Sequence, residues 1–181
     1  MAALVVTQNV TLDGVIEAVD DWFEPTGDTS DVLAVVQRQM AAETAFLVGR
    51  STFEDLRGFW PNQTDDETGI TAHLNRVDKY VISSTLTDPG WANSRVLSGD
   101  LVQEVIDLKA NTRGTVGVTG SISVVHQLIT AGLVDEFRLF VYPRVLGRGR
   151  RLFPEGFDLA LRLESGQAFD SGVVLAIHRR A

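Results

Sequence analysis

The 181-residue chain contains no cysteine. That excludes disulfides, thiolate chemistry and cysteine-ligated zinc, and it fits a cytoplasmic protein. It has only two lysines, Lys79 and Lys109, and the other basic residues are arginines. With a formal net charge of -8 there is no broad basic face for a nucleic-acid backbone. One small anion held by a local arginine stays possible, since a guanidinium suits bidentate phosphate contacts. No apolar run is long enough for a membrane span. The opening MAALVVTQNVTLDG has no basic leader and reads as a first strand, not a signal peptide.

What is present fits a single α/β domain over residues 1–181, with 44% hydrophobic residues to build a core. Residues 3–9 read as a buried strand, and Thr11 to Gly14 (TLDG) as a turn. Residues 15–27, with Trp22, Phe23, Pro25 and Gly27 among acids, read as a loop. Ser30 or a neighbour caps a helix with Val32, Leu33, Val35, Val36 and Met40 at helical spacing. Strand 44–49 and a helix from Ser51 to Phe59 follow, ended near Gly58 or before Pro61. Residues 61–70 are polar and expected to be mobile, with a helix over about 67–76. Strand 79–83 gives way to Ser83-Ser84-Thr85, then the turn Asp88-Pro89-Gly90 and a short strand 95–97. Asp100 caps a helix with Leu101, Val105, Ile106 and Leu108 inward. Strand 116–119 precedes a helix opened by Gly120-Ser121, with Val124, Val125, Leu128 and Ile129 buried. Strand 136–142 stops at Pro143, and 159–169 with 172–178 read as a hairpin. Strand–helix alternation implies a mostly parallel sheet with helices on both faces and an antiparallel finish.

In such sheets ligands sit beyond the carboxyl ends of the parallel strands. Three strand ends share one chemistry. Gly49-Arg50-Ser51-Thr52 combines a tight exit, a helix start and a cation, which suits phosphate. It also fits a capped helix with Arg50 in solvent. Ser83-Ser84-Thr85 can bond a sugar or phosphate, or simply cap turns. Gly120-Ser121-Ile122-Ser123-Val124 lets backbone approach a pyrophosphate, or starts a helix chosen for packing. It is neither GxGxxG, nor a Walker loop, nor a GxSxG elbow. Together the three ends point to a phosphorylated nucleotide in one crevice.

TLDG at 11–14, LVGRSTFE at 47–54, YVISSTL at 80–86, VTGSISVVHQL at 118–128 and GLVDEFRLFVYPRVLGRGRRLF at 132–153 resemble the dihydrofolate-reductase-like superfamily. The likeness is nearest to the reductase domain of the riboflavin-biosynthesis deaminase-reductase. It covers nearly the whole chain. It implies a three-layer dihydrofolate-reductase-like fold and NADPH as cofactor. By position, Gly49, Arg50, Ser51 and Thr52 would face its phosphates. Ser83, Ser84 and Thr85 would lie by the adenosine half, and Gly120 to Val124 by the pyrophosphate and ribose. Thr11, Leu12, Asp13 and Gly14 would flank nicotinamide and substrate. Ser121 stands where the family usually has a second glycine. Asp31 sits where dihydrofolate reductase places a pterin-binding carboxylate, though it also suits a helix N-terminus. The sequence shows no stretch with the zinc-ligand spacing expected of a deaminase domain.

The implied activity is NADPH-dependent reduction of a small heterocycle, as in 5-amino-6-(5-phosphoribosylamino)uracil reductase or dihydrofolate reductase. Asp13 is the candidate proton donor, or a turn residue. Trp60 and Trp22 could stack on a flat ring. The alternative is a non-catalytic NADPH-binding or sensor domain. A serine hydrolase lacks a placed histidine or acid. His73, His126 and His178 have no metal-like spacing. Arg148, Arg150 and Arg151 read as a turn cluster that could reach substrate or a partner subunit. Strand 136–142, taken as an edge, and the final hairpin suggest a homodimer.

Overall fold

Strands and helices alternate through the first 130 residues, and that alternation decides the architecture. In the computed structural model, residues 1–18, 22–23 and 28–181 are described. Part of the expected 15–27 loop, including Pro25 and Gly27, lies outside them.

The elements run β1 (Ala3–Thr11), α1 (Ser30–Ala42), β2 (Glu43–Gly49), α2 (Arg50–Phe59), α3 (Ile70–Arg76), β3 (Asp78–Ile82), β4 (Ser94–Leu97), α4 (Leu101–Asn111), β5 (Thr115–Val118), α5 (Ile122–Thr130), β6 (Glu136–Tyr142), β7 (Leu161–Ala168) and β8 (Val174–Arg180). They form one eight-stranded sheet in the order β4-β3-β2-β5-β1-β6-β8-β7. The pairs from β4 to β6 are parallel, and β8 pairs antiparallel with β6 and β7. This is the expected mostly parallel sheet with an antiparallel end, wrapped by helices. No helix among the described residues is long and apolar enough to cross a membrane.

Alternation along β2 shows how the layers form. Ala45 and Leu47 pack with Val105, Leu108, Val125 and Leu128 of α4 and α5. Phe46 and Val48 turn the other way, onto Phe53 of α2 and Leu74 of α3. Farther along the sheet, Phe140 and Tyr142 of β6 pack with Val32 and Val35 of α1. Each fully buried side chain of this kind contributes roughly 1.5–3 kcal/mol.

Several expectations need correction. Strand β6 is not an edge; it lies between β1 and β8, and the edges are β4 and β7. The alternating β7 is exposed along nearly its whole length, Leu163 included. Ile106 on α4 faces solvent, whereas Val105 and Leu108 are buried. Of Ser30 and its neighbours, Thr29 takes the N-cap position, without a side-chain capping bond, and Ser30 is the first helical residue; the Asp28 carboxylate accepts its N–H at 2.9 Å. Pro61 lies inside a 3-10 turn, Trp60–Asn62, that extends α2. In the 61–70 stretch, Asp66 accepts the N–H groups of Thr68 at 2.9 Å and Thr71 at 2.7 Å. Asp100 caps α4 as expected, accepting from Gln103 N at 3.0 Å.

Candidate functional site

Strands β3, β2 and β5 are neighbours, and their carboxyl ends are nearly level. Gly49 pairs with Ile82, and Leu47 with Val118. The three hydroxyl-rich stretches therefore emerge side by side. They line a groove of about 400 Å³ bounded by Arg50, Ser51, Ser83, Ser84, Thr85, Ser121, Ser123 and Val124.

Close packing of two glycines joins α2 to α5. Gly49 N donates to Gly120 O at 3.0 Å. A Cβ on Gly49 would fall 1.9 Å from Ser121 Oγ and 3.0 Å from Ser121 N. A Cβ on Gly120 would fall 2.7 Å from Thr52 Oγ1. The Gly120–Ser121 peptide is cis. Both helix N-termini are brought to the groove, where their free N–H groups and dipoles favour an anion. The Ser121 hydroxyl makes no capping bond.

Individual residues there differ in freedom. Arg50 is half exposed and pairs with Glu54 at 3.1 Å, one turn along α2. Such exposed pairs hold a cation weakly. Ser83 is buried, and its hydroxyl accepts Leu86 N at 2.9 Å and Thr85 N at 3.2 Å. It builds the turn that presents Ser84 and Thr85. Gly120 and Ile122 are not part of the groove lining, and neither is Thr52.

Thr52 instead lines a second, larger cavity of about 830 Å³. Its walls include Trp22, Phe23, Val32, Val36, Leu56, Phe59, Trp60, Phe140 and Tyr142. Trp22 is fixed by an indole N–H bond to Glu17 O at 2.7 Å and by edge contact with Tyr142, centroids 5.5 Å apart. Trp60 meets Phe59 edge-on at 5.0 Å. Burial pushes the Tyr142 phenol above its ordinary value. The polar lining is Thr7, Gln8, Asn9, Thr29, Thr52, Asp55, Thr68 and Thr119. Gln8 donates its amide N–H to Thr119 O. Among the described residues the Thr7 hydroxyl is buried without a hydrogen-bond partner.

Trp60, half-buried, thus stands where a flat ring could meet it, whereas Trp22 is buried in the wall behind. Asp31 does not stand there. Its carboxylate accepts its neighbour Val32 N at 2.7 Å and Asp170 N at 3.4 Å. Thr29, Val32, Leu33 and Val36 of the same region line the chamber instead.

Asp13 is also engaged elsewhere. It accepts the Thr11 hydroxyl at 2.6 Å, Gly147 N at 2.7 Å and Leu146 N at 3.2 Å. The Thr11 hydroxyl and then the Gly147 N–H lower its pKa to about 2. A carboxyl that is ionised at neutral pH has no proton to give, so the geometry opposes a donor role. Thr11 is buried and also accepts Val15 N at 2.9 Å. Gly14, at φ +86°, accepts Leu152 N at 3.0 Å through its carbonyl. The 11–17 turn is thereby laced to the 143–152 arm. In that arm Arg150 pairs with Glu17 at 2.7 Å, and His126 Nε2 meets Arg151 O at 2.8 Å. These bonds hold the arm to the turn and to α5.

Sequence reasoning missed Asp55. It follows Thr52 by three residues, and Thr52, Asp55, Leu56 and Phe59 form one helical face turned into the chamber. That spacing was the available signal. Among the described residues no His/Asp/Glu cluster could hold a metal. His73 is buried against Glu43 at 2.9 Å.

Residues 2–175 match the family model of the RibD C-terminal domain. The chain is 31% identical over 178 residues to YyaP of Bacillus subtilis strain 168, an uncharacterized protein, covering 93% of this chain and 90% of that one. A putative riboflavin biosynthesis protein from Shewanella sp. PV-4 superposes with a TM-score of 0.76 at 20% identity, covering 99% of both chains. Dihydrofolate reductase from Enterococcus faecalis, solved with NADP(H), gives a TM-score of 0.64 at 17% identity, covering 98% of this chain and 96% of that one. These two likenesses establish the dihydrofolate-reductase-like fold. The chain belongs to the RibD C-terminal domain family, and that membership supports a reductase role.

Proposed function

We propose that this member of the RibD C-terminal domain family is an NADPH-dependent reductase that passes hydride to a small heterocycle. The observation carrying the reading is the junction at Gly49 and Gly120. There a hydroxyl-lined groove with one arginine abuts a ring-walled chamber. An extended dinucleotide needs both environments, one for its phosphates and one for its nicotinamide.

The donor set fits the cofactor. Arg50 offers a guanidinium fork for a phosphate, and Ser51, Ser84, Thr85, Ser121 and Ser123 offer hydroxyls. The N-termini of α2 and α5 add backbone N–H groups. When bound, the dihydronicotinamide supplies the hydride. Thr52 and Thr119 mark the chamber's end beside the glycine junction. Trp60 holds a flat ring, and the wall built on buried Trp22 excludes water from it. Asp13 positions the 11–17 turn rather than exchanging a proton. Asp55 is the carboxylate of the chamber, placed to accept a hydrogen bond from the substrate.

Titration of NADPH and NADH by calorimetry tests the reading. NADPH is expected to bind at least roughly tenfold tighter. Failure of NADPH to bind at millimolar concentration overturns it. Binding without turnover on any pyrimidine, pterin or quinone acceptor would instead indicate a cofactor-sensing domain. The proposed homodimer would use the exposed edge β7 rather than β6; light scattering after gel filtration tests it.

A further inference from the structure

We infer that the chamber accepts a flat ring molecule without a phosphate, neutral or positively charged, and that Asp55 meets its N–H or ammonium donor. As a statement about substrate this rests on the reductase reading above. It narrows that reading, because the resemblance allowed a phosphoribosylated pyrimidine.

The chamber's charge carries the argument. Among the described residues that line it there is no arginine, lysine or histidine, and Asp55 is the sole ionised group. A phosphate drawn inside would lose its water among rings and one like charge, with no cation to replace it. Such a transfer is unfavourable. The sequence reinforces the point. The first 37 residues, which supply Thr7, Gln8, Asn9, Trp22, Val32 and Val36 to the walls, contain seven acids and no Lys, Arg or His.

Nearby cations are committed elsewhere. Arg57 donates to Pro89 O at 2.7 Å and lies 5.7 Å from the Phe53 ring centre. Arg50 opens onto the groove and pairs with Glu54. Glu17 holds Arg150.

Two further features point to what the chamber does accept. Asp55 has no hydrogen-bond or ion-pair partner among the described residues, so its carboxylate is available to a donor. Half-buried Trp60 adds a ring face that attracts a cation.

A matched set of ring compounds tests the inference by calorimetry at neutral pH and low salt. The probes are 2-naphthylmethylamine, 2-naphthol and 2-naphthyl phosphate, which share one ring and differ in charge. The amine is expected to bind roughly tenfold tighter than the phenol, and the phosphate at least roughly tenfold weaker than the phenol. Asp55→Asn should weaken the amine roughly tenfold while changing the phenol less than about twofold. Because Asp55 is exposed, this variant should keep the parent melting temperature. Uridine and uridine 5′-monophosphate ask about a tail that leaves the chamber mouth. The phosphate is expected to add no affinity.

The inference falls if 2-naphthyl phosphate matches the phenol, or if the monophosphate beats uridine tenfold. It falls too if none of the naphthalenes binds at millimolar concentration, or if Asp55→Asn affects amine and phenol alike. NADPH titrated into the same sample separates the two claims. Charge-ranked ring binding without NADPH binding would remove the reductase reading and leave the chamber's preference standing. NADPH binding with unranked rings would remove this inference alone.

Discussion

The groove and the chamber lie on either side of one glycine contact, and their chemistries are opposite. The groove offers hydroxyls, helix N-termini and one arginine. The chamber offers rings and one aspartate. Both are fed by the same helix, α2. Arg50 and Ser51, at its first turn, line the groove; Thr52, Asp55, Leu56 and Phe59 line the chamber. The sheet edge thus decides where ligands can sit, and helical periodicity decides which chemistry each side receives.

The most damaging way to break this division is to push the two sides apart. Gly49→Ala places a Cβ against Ser121 Oγ and, at 3.0 Å, against backbone Ser121 N. The hydroxyl can rotate, but the backbone nitrogen cannot. Destabilisation of roughly 3 kcal/mol is expected, with loss of both cofactor and ring-ligand binding. Chemical denaturation and calorimetry on one sample would check both. A variant of parent stability would mean that α5 yields at this point and that the glycine is not required.

Arg50→Ala strikes the groove alone. NADPH should weaken by roughly 10–100-fold, and NADH far less, because a charge-assisted fork is lost only where a phosphate meets it. Ring ligands of the chamber should be unchanged. Equal weakening of both cofactors would return Arg50 to the solvated surface, paired with Glu54.

The same contrast explains what was legible in the sequence. The groove could be read because each of its parts is local: a strand, a small residue, hydroxyls, a helix start. Adjacency of β3, β2 and β5 then followed from the alternating plan. The chamber was harder. Trp60 announced itself as an aromatic at a helix end, but the direction of a carboxylate is set by distant donors. Asp31 turns to the N–H of Asp170, and Asp13 to those of Leu146 and Gly147, both more than 130 residues away. Nothing in TLDG or SDVLAVV encodes those partners. Asp55 was overlooked in favour of Arg50 although periodicity put it beside Thr52. The edge was misplaced for a similar reason. The apolar run of β6 says that it is buried, and β8 inserts beside it through long-range pairing. Alternation in β7 could not signal burial, since an edge strand can keep the pattern while both faces meet solvent.

Trp60→Ala strikes the chamber alone and is the mirror of Arg50→Ala. Trp60 is half-buried, with Phe59 edge-on to it. Losing the ring should weaken all the naphthalene probes by about tenfold, from lost area and ring contact. NADPH measured without a ring ligand should weaken less than the probes do, because the groove still holds its phosphates. A larger loss for NADPH than for the rings would place the cofactor's ring against Trp60 and merge the two regions.

Asp13→Asn is the mildest change, because Asp13 touches neither lining. Its carboxyl is held at about 2 against an ordinary 3.8 by the Thr11 hydroxyl and the Gly147 N–H. A folded-state value below the unfolded one means that ionised Asp13 stabilises the fold. That contribution is complete above 3.8 and drains away as pH falls through about 2. The variant should therefore melt a few degrees below the parent at neutral pH, with the gap closing only in that acidic window. If turnover is found, its pH profile from weakly acid to weakly basic should keep its shape in Asp13→Asn, since the group does not titrate there. Loss of a limb of that profile, with the melting temperature unchanged, would restore Asp13 as the proton donor and move the chemistry from the chamber to the turn beside it.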